Sequence, residues 1–147
     1  MSTSALPEAL TLPDGTRVRA RSLRTVPGGG VLPTYGLYLG TARTRRRFAA
    51  AMPWHQDWIW WRDFGVPKEH TAAVAAITSA YRAMHRGERV ECACPGGVGR
   101  TGTVLACLVV LNGCSDAEAV SWVRRNYTKR AVETPWQRRW VARFARG

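Results

Sequence analysis

A chain of 147 residues with 46% hydrophobic side chains and seven Trp has enough apolar surface to build one domain around its own core, which excludes intrinsic disorder. Its 22 basic residues, 20 of them Arg, outnumber 10 acidic ones, and the net charge of +12 points to anionic partners. No apolar stretch backs the polar start and the longest apolar run, Val104 to Leu111, is under half of the about 20 residues a bilayer span needs, so a soluble, cytoplasmic protein with four thiol cysteines is expected.

In chain order, residues 1–34 read as an N-terminal hairpin and loop region of a single domain spanning 1–147. Asp14-Gly15 between Leu12 and Val18 predicts a hairpin turn, and Pro27-Gly28-Gly29-Gly30 a loop. Tyr35 to Leu39 predicts a strand, Arg43 to Arg47 a loop or short helix, and Trp58 to Trp61 a short buried strand. Val74, Ile77, Tyr81 and Met84 recur at intervals of three and four and mark one face of a helix ending near Gly87. Arg89 to Cys94 is the next strand, and Val104 to Leu111 is apolar all round, as in a central buried helix closed by Asn112-Gly113. Ser115 with Glu118 caps a helix carrying Val120, Val123 and Tyr127. Thr134 with Gln137 caps the last, with Pro135 in its first position and Trp136, Trp140 and Phe144 expected in the core. The order implies an α/β fold, a small and mainly parallel sheet flanked by helices.

The segment Cys94-Pro95-Gly96-Gly97-Val98-Gly99-Arg100-Thr101-Gly102 joins a strand to a helix. Glycines let successive backbone N–H groups turn around an anion, and the helix N-terminus adds its positive end. Arg100 can clamp two phosphate oxygens, and a cysteine at the floor of such a ring of donors is favoured as the thiolate. Gly97-x-Gly99-x-x-Gly102 also spells a dinucleotide fingerprint, yet no acidic residue stands at a strand end about 20 positions on. A nucleotide-triphosphate loop would need a Lys that is missing here. The remaining bland reading is a tight glycine turn beside an inert buried thiol. Against it stands Trp61-Arg62-Asp63-Phe64-Gly65-Val66-Pro67, about 30 residues upstream, where Asp63, in a loop bounded by Gly and Pro, can protonate a departing alkoxide or phenoxide and can move on substrate binding.

Together these two motifs resemble the protein tyrosine phosphatase superfamily, in its compact dual-specificity branch, over roughly residues 35 to 147. The resemblance implies Cys94 as nucleophile, Pro95, Gly96, Gly97, Val98 and Gly99 with Arg100 as the phosphate loop, and Asp63 as general acid then base. It further implies Thr101 steadying the thiolate and no cofactor. The family's usual His before the nucleophile is Ala93 here, and the usual Pro of the acid loop is Arg62. The C-terminal Gln-Thr-x-x-x-Gln is only partly kept, with Glu133 in place of the first Gln, Thr134 retained and Gln137 in roughly the later position. Gln137 therefore has two readings, orienting the hydrolytic water or capping its helix. The implied activity is phosphate monoester hydrolysis on phosphotyrosine proteins, or with dual specificity. RNA 5′ ends, phosphoinositides and a phosphotyrosine-binding pseudophosphatase are the alternatives, with nucleic acid not favoured and no membrane partner expected. The Cys94 loop interior holds no Lys or Arg for additional phosphates. Cys92, two positions before Cys94 and on the same strand face, suggests either a buried core thiol or a disulfide partner. His55, His70, His85 and the cysteines lack zinc spacing, so no metal is expected. Phe48, beside the arginine cluster, is a candidate to stack on a phosphotyrosine ring.

Overall fold

The computed structural model describes residues 5–27 and 30–147. Five strands and five α-helices follow in the order β1 (Leu10–Thr11), β2 (Arg17–Ser22), β3 (Tyr35–Gly40), α1 (Ala42–Phe48), β4 (His55–Trp60), α2 (His70–His85), β5 (Val90–Cys94), α3 (Gly99–Leu111), α4 (Asp116–Asn126) and α5 (Pro135–Arg146). The sheet order is β1-β2-β5-β3-β4, antiparallel only between β1 and β2. The mainly parallel α/β architecture expected from the sequence is thus present.

Local chemistry accounts for most boundaries. Gly15 takes φ +88 in the predicted hairpin turn, and Asp14 accepts the Thr16 N–H at 3.0 Å. Gly87, at φ +82, ends α2 while the Glu88 N–H reaches back to the Ala83 carbonyl at 3.1 Å. Capping boxes at Thr41/Thr44, Ser115/Glu118 and Thr134/Gln137 open α1, α4 and α5. Every residue of β3 and β5 is buried, as for interior parallel strands, and α3 is buried from Gly99 to Val109. The large core lies on the sheet face of Val18, Leu37, Leu39, Ile59 and Cys92, under α2 and α3, with α4 and α5 packed onto α3. The opposite face carries a smaller cluster of Leu23, Tyr38, Met52 and Ala93, covered by Phe48, Trp54 and Trp58.

Four sequence expectations are corrected. Trp136 is 47% exposed and lies outside the core, because it is off the face of α5 that buries Gln137, Trp140, Val141 and Phe144. The strand at Trp58 runs from His55 to Trp60, and only Ile59 within it is buried, since β4 is the sheet edge. The α2 face centres on Ala73, Ile77, Ala80 and Met84, with Val74 and Tyr81 only half-buried, because small alanines allow the helix to sit close on the sheet. Phe48 packs into the smaller cluster with Arg47 over its ring, so it is not free to stack on a substrate. Arg43 to Arg47 form the exposed face of α1. Of the expected loop at 27–30, Gly28 and Gly29 lie outside the described residues.

Candidate active site

In a parallel sheet the C-terminal strand ends share one edge, and the crevice beyond that edge is where ligands bind. At this edge β5 delivers Cys94 beneath the N-terminus of α3. Cys94 is 1% exposed, and its Sγ accepts hydrogen bonds from the Gly97 N–H (3.1 Å) and the Thr101 hydroxyl (3.0 Å). The carbonyls of the following loop are tied down on its outer side. The Leu23 N–H bonds the Cys94 carbonyl at 2.9 Å, the Ser22 hydroxyl bonds Pro95 O at 2.5 Å, and the Tyr127 hydroxyl bonds Gly97 O. Because carbonyl and N–H of a peptide unit point in opposite senses, fixing the Pro95 and Gly97 carbonyls turns the N–H groups of Gly96 and Val98 the other way. The Cys94 carbonyl, followed by Pro95, anchors the loop without orienting a donor. Gly97 is required there: it takes φ +70, and a Cβ would lie 2.6 Å from the Ser22 nitrogen. A Cβ at Gly102 would stand 2.6 Å from that of Ala131, so the connection between α4 and α5 seats tightly on the start of α3.

Arg100 opens the first turn of α3 and is 5% exposed. Its Nη1 donates to the Trp61 carbonyl at 2.9 Å, and its Nη2 stands 3.4 Å from Asp63 Oδ1. Among the described residues its buried Nε has no hydrogen-bond partner. A buried guanidinium donor without an acceptor is costly, and an anion beside the loop is the chemistry that would satisfy it. Asp63, whose side chain is 62% exposed, approaches from the turn after β4, with its Oδ1 also accepting the Phe64 N–H at 3.0 Å. The structure therefore brings Cys94, the loop Pro95–Gly99, Arg100, Thr101 and Asp63 to one place.

Gln137 is brought near the same region and is bonded at both its amide oxygen and its amide nitrogen. It is 0% exposed, its Oε1 accepts the N–H groups of Glu133 (3.0 Å) and Thr134 (3.3 Å), and its Nε2 donates to the Gly65 carbonyl at 3.0 Å. It completes the capping box and ties α5 to the Asp63 turn.

Beneath the site, Glu91 on β5 is completely buried and accepts from Arg19 Nε (3.0 Å) and Nη2 (2.6 Å), Arg21 Nε (2.9 Å) and Nη2 (3.0 Å), and Tyr38 (2.6 Å). Burial acts to raise its carboxyl, but the bonds from Arg21, Tyr38 and Arg19 outweigh it and hold the group below its ordinary value. This network clamps β2 to β5, and the register Ser22↔Cys94 places Ser22 beside the loop. Burial pushes the Cys92 thiol well above its ordinary value, with the neighbouring Cys94 adding to it, and burial does the same for Cys107. Among the described residues no group of three or more His, Cys, Asp or Glu is placed to hold a metal ion.

Sequence reasoning missed Ser22, Tyr127, the Glu91 network and the indole of Trp136, whose Nε1 donates to the Phe64 carbonyl. Ser22 and Tyr127 each sit at an element end, where a polar group is usual, so no local signal marked them. Glu91 did carry one, as a lone acid inside a buried strand answered by two arginines two positions apart on β2.

A family model described as "PTP-SAK: Swiss Army Knife protein, DSP-PTPase phosphatase domain" matches residues 53–143. An uncharacterized protein of Methanocaldococcus jannaschii is 35% identical over 82 residues, covering 56% of this chain and 54% of that protein. A second uncharacterized protein of the same organism is 34% identical over 82 residues, so the chain spans about half the length of the curated relatives it matches. Among solved structures the fold is similar to Tk-PTP in its active form, with a TM-score of 0.72, 20% identity and coverage of 95% of this chain and 97% of that one. It is also similar to kinase-associated phosphatase (TM-score 0.67, 14% identity, 87% and 84% covered). The third is PTPMT1 in complex with PI(5)P (TM-score 0.60, 16% identity, 78% and 77% covered).

Proposed function

This chain belongs to the phosphatase-domain family that the match over residues 53–143 defines, and from that premise we propose that it hydrolyses phosphate monoesters through a cysteinyl-phosphate on Cys94. The observation that carries the reading is the placement of Cys94 Sγ under the Gly97 N–H and the Thr101 hydroxyl, with Arg100 and Asp63 standing 3.4 Å apart at the same mouth. In the first step the Sγ–P bond forms, the P–O ester bond breaks, and the Asp63 carboxyl gives its proton to the departing oxygen. Water then attacks phosphorus, Asp63 takes back a proton, and the S–P bond breaks with the Thr101 hydroxyl donating to the released sulfur. Arg100 and the loop N–H groups hold the equatorial oxygens as charge redistributes over them. Gln137 is assigned a positioning role, supported by its bonds to the N–H groups of Glu133 and Thr134 and to the Gly65 carbonyl.

For substrate we propose phosphotyrosine in a protein. The exposed rings of Phe64 and Trp136 beside the Asp63 turn offer apolar surface to an aromatic leaving group, and the loop interior has no cation for a second phosphate. A phosphoinositide is the second reading, supported by the net charge of +12 and by the fold shared with PTPMT1, whose structure holds PI(5)P.

The test is turnover of p-nitrophenyl phosphate with EDTA present by wild type, Cys94→Ser and Asp63→Ala. Turnover by wild type, none by Cys94→Ser and strong impairment in Asp63→Ala support the mechanism. A wild type as inert as Cys94→Ser sinks it and leaves a phosphate-binding module. Side-by-side rates on a phosphotyrosine peptide, PI(5)P and a 5′-phosphorylated RNA then decide the substrate class.

A further inference from the structure

The turn that carries Asp63 is exposed, yet the fold does not leave it free. The Gly65 N–H closes the turn onto the Arg62 carbonyl at 3.0 Å, and Phe64 takes φ +60, a left-handed conformation that a residue with a Cβ holds only when its surroundings enforce it. The enforcement is visible. The Phe64 carbonyl accepts from Trp136 Nε1, and the Gly65 carbonyl accepts from both Trp61 Nε1 (2.6 Å) and Gln137 Nε2 (3.0 Å).

Two of these three donors belong to the first turn of α5, which Thr134 and Pro135 fix in place. The third, Trp61, is 0% exposed and packs against Trp140 of α5 with ring centroids 5.7 Å apart. Gln137 cannot swing away without abandoning the α5 cap. Trp136 differs from the other two. It is 47% exposed, so burial of its ring does not explain its placement, while its N–H is directed at the turn.

We propose that Trp136 is a positioning residue that holds the Asp63 turn in its working place before substrate arrives, so the acid is delivered by a pinned turn and not by a closing lid. This rests on the phosphatase reading above. An acid works only within hydrogen-bond reach of the oxygen it protonates, and pre-fixing that geometry removes the entropy of finding it. Asp63 already faces Arg100 at 3.4 Å, at the mouth where the ester oxygen would lie. Releasing the Phe64 carbonyl would let Phe64 relax out of its left-handed conformation and carry Asp63 with it.

The distinguishing property of an acid is that leaving groups differ in their need for it. Phenoxide must be protonated as it departs, whereas 2,4-dinitrophenoxide leaves as a stable anion. The experiment compares kcat/KM on phenyl phosphate and on 2,4-dinitrophenyl phosphate for wild type, Trp136→Phe, and Trp122→Phe as an indole lost from elsewhere. This quantity reports the step in which the leaving group departs and not the later hydrolysis common to both esters. Trp136→Phe is expected to lower the phenyl-to-dinitrophenyl ratio about fivefold to tenfold, the factor that loss of one hydrogen bond holding the acid would give. Trp122→Phe keeps the wild-type ratio. Amide hydrogen exchange over residues 62–66 is expected to speed up in Trp136→Phe alone. If both esters are turned over and their ratio is unmoved in Trp136→Phe, even with both rates reduced, the assignment is overturned while the phosphatase reading stands. A wild type inert on both esters overturns the phosphatase reading and this assignment with it.

Discussion

Replacing Glu91 by Gln tests whether the strand carrying the nucleophile is held by charge. The carboxylate is 0% exposed and takes five hydrogen bonds, four from the guanidiniums of Arg19 and Arg21 and one from Tyr38. Gln keeps one acceptor oxygen, turns an amide N–H₂ toward guanidinium donors, and leaves the buried Arg19 and the partly buried Arg21 without a counter-charge. Removing one partner of a buried pair costs about 3–5 kcal/mol, because the other charge stays behind uncompensated. Against a total stability of about 5–15 kcal/mol this is a large share. With about 2–4 °C lost per kcal/mol in a domain of this size, the melting temperature falls roughly 6–20 °C. Urea unfolding followed by Trp fluorescence reads the change directly, with the midpoint lowered and the slope kept. The sign with pH is fixed as well. Glu91 is held below its ordinary value, so its contribution is present above the ordinary carboxylate range and is lost as pH falls through the folded value. The gap between wild type and variant is therefore widest near neutral pH and narrows in acid. Adding Arg19→Met to the Gln variant recovers part of the loss by removing one stranded cation. A difference below about 1 kcal/mol at pH 7 would refute the reasoning, since it would mean that water or relaxation screens the pair.

The remaining expectations concern the loop and the thiols. Gly97→Ala forces a Cβ to 2.6 Å from the Ser22 nitrogen at φ +70, so the loop must rearrange; vanadate inhibition is expected to weaken at least tenfold, and an unchanged inhibition constant would show that the loop has another way to bind oxyanions. Cys92 and Cys107 are buried with thiols pushed well above their ordinary value, so iodoacetamide at neutral pH should leave both unmodified by peptide mass mapping of the native protein while half-buried Cys114 reacts. Modification of Cys92 in native protein would contradict the burial.

Much of this molecule was written locally. The turn at Asp14-Gly15, the capping boxes at Ser115 and Thr134, the apolar α3 and the strand–glycine–arginine run after Cys94 depend on neighbours within a few residues, so the sequence determined the α/β class and the candidate loop by itself. Period and capping report only on one element, however, and cannot say which face meets what. Tertiary structure decided that Trp136, apolar and on a helix, stands half in solvent with its N–H spent on the Phe64 carbonyl. It decided that Tyr127 and Ser22, at ends of distant elements, hold the carbonyls of the Cys94 loop, and that Gln137 locks the acid turn while it caps α5. Those contacts join residues 30 to 73 positions apart. No local propensity encodes them, because their geometry exists only once parallel strands bring the chain's C-terminal strand ends to one edge.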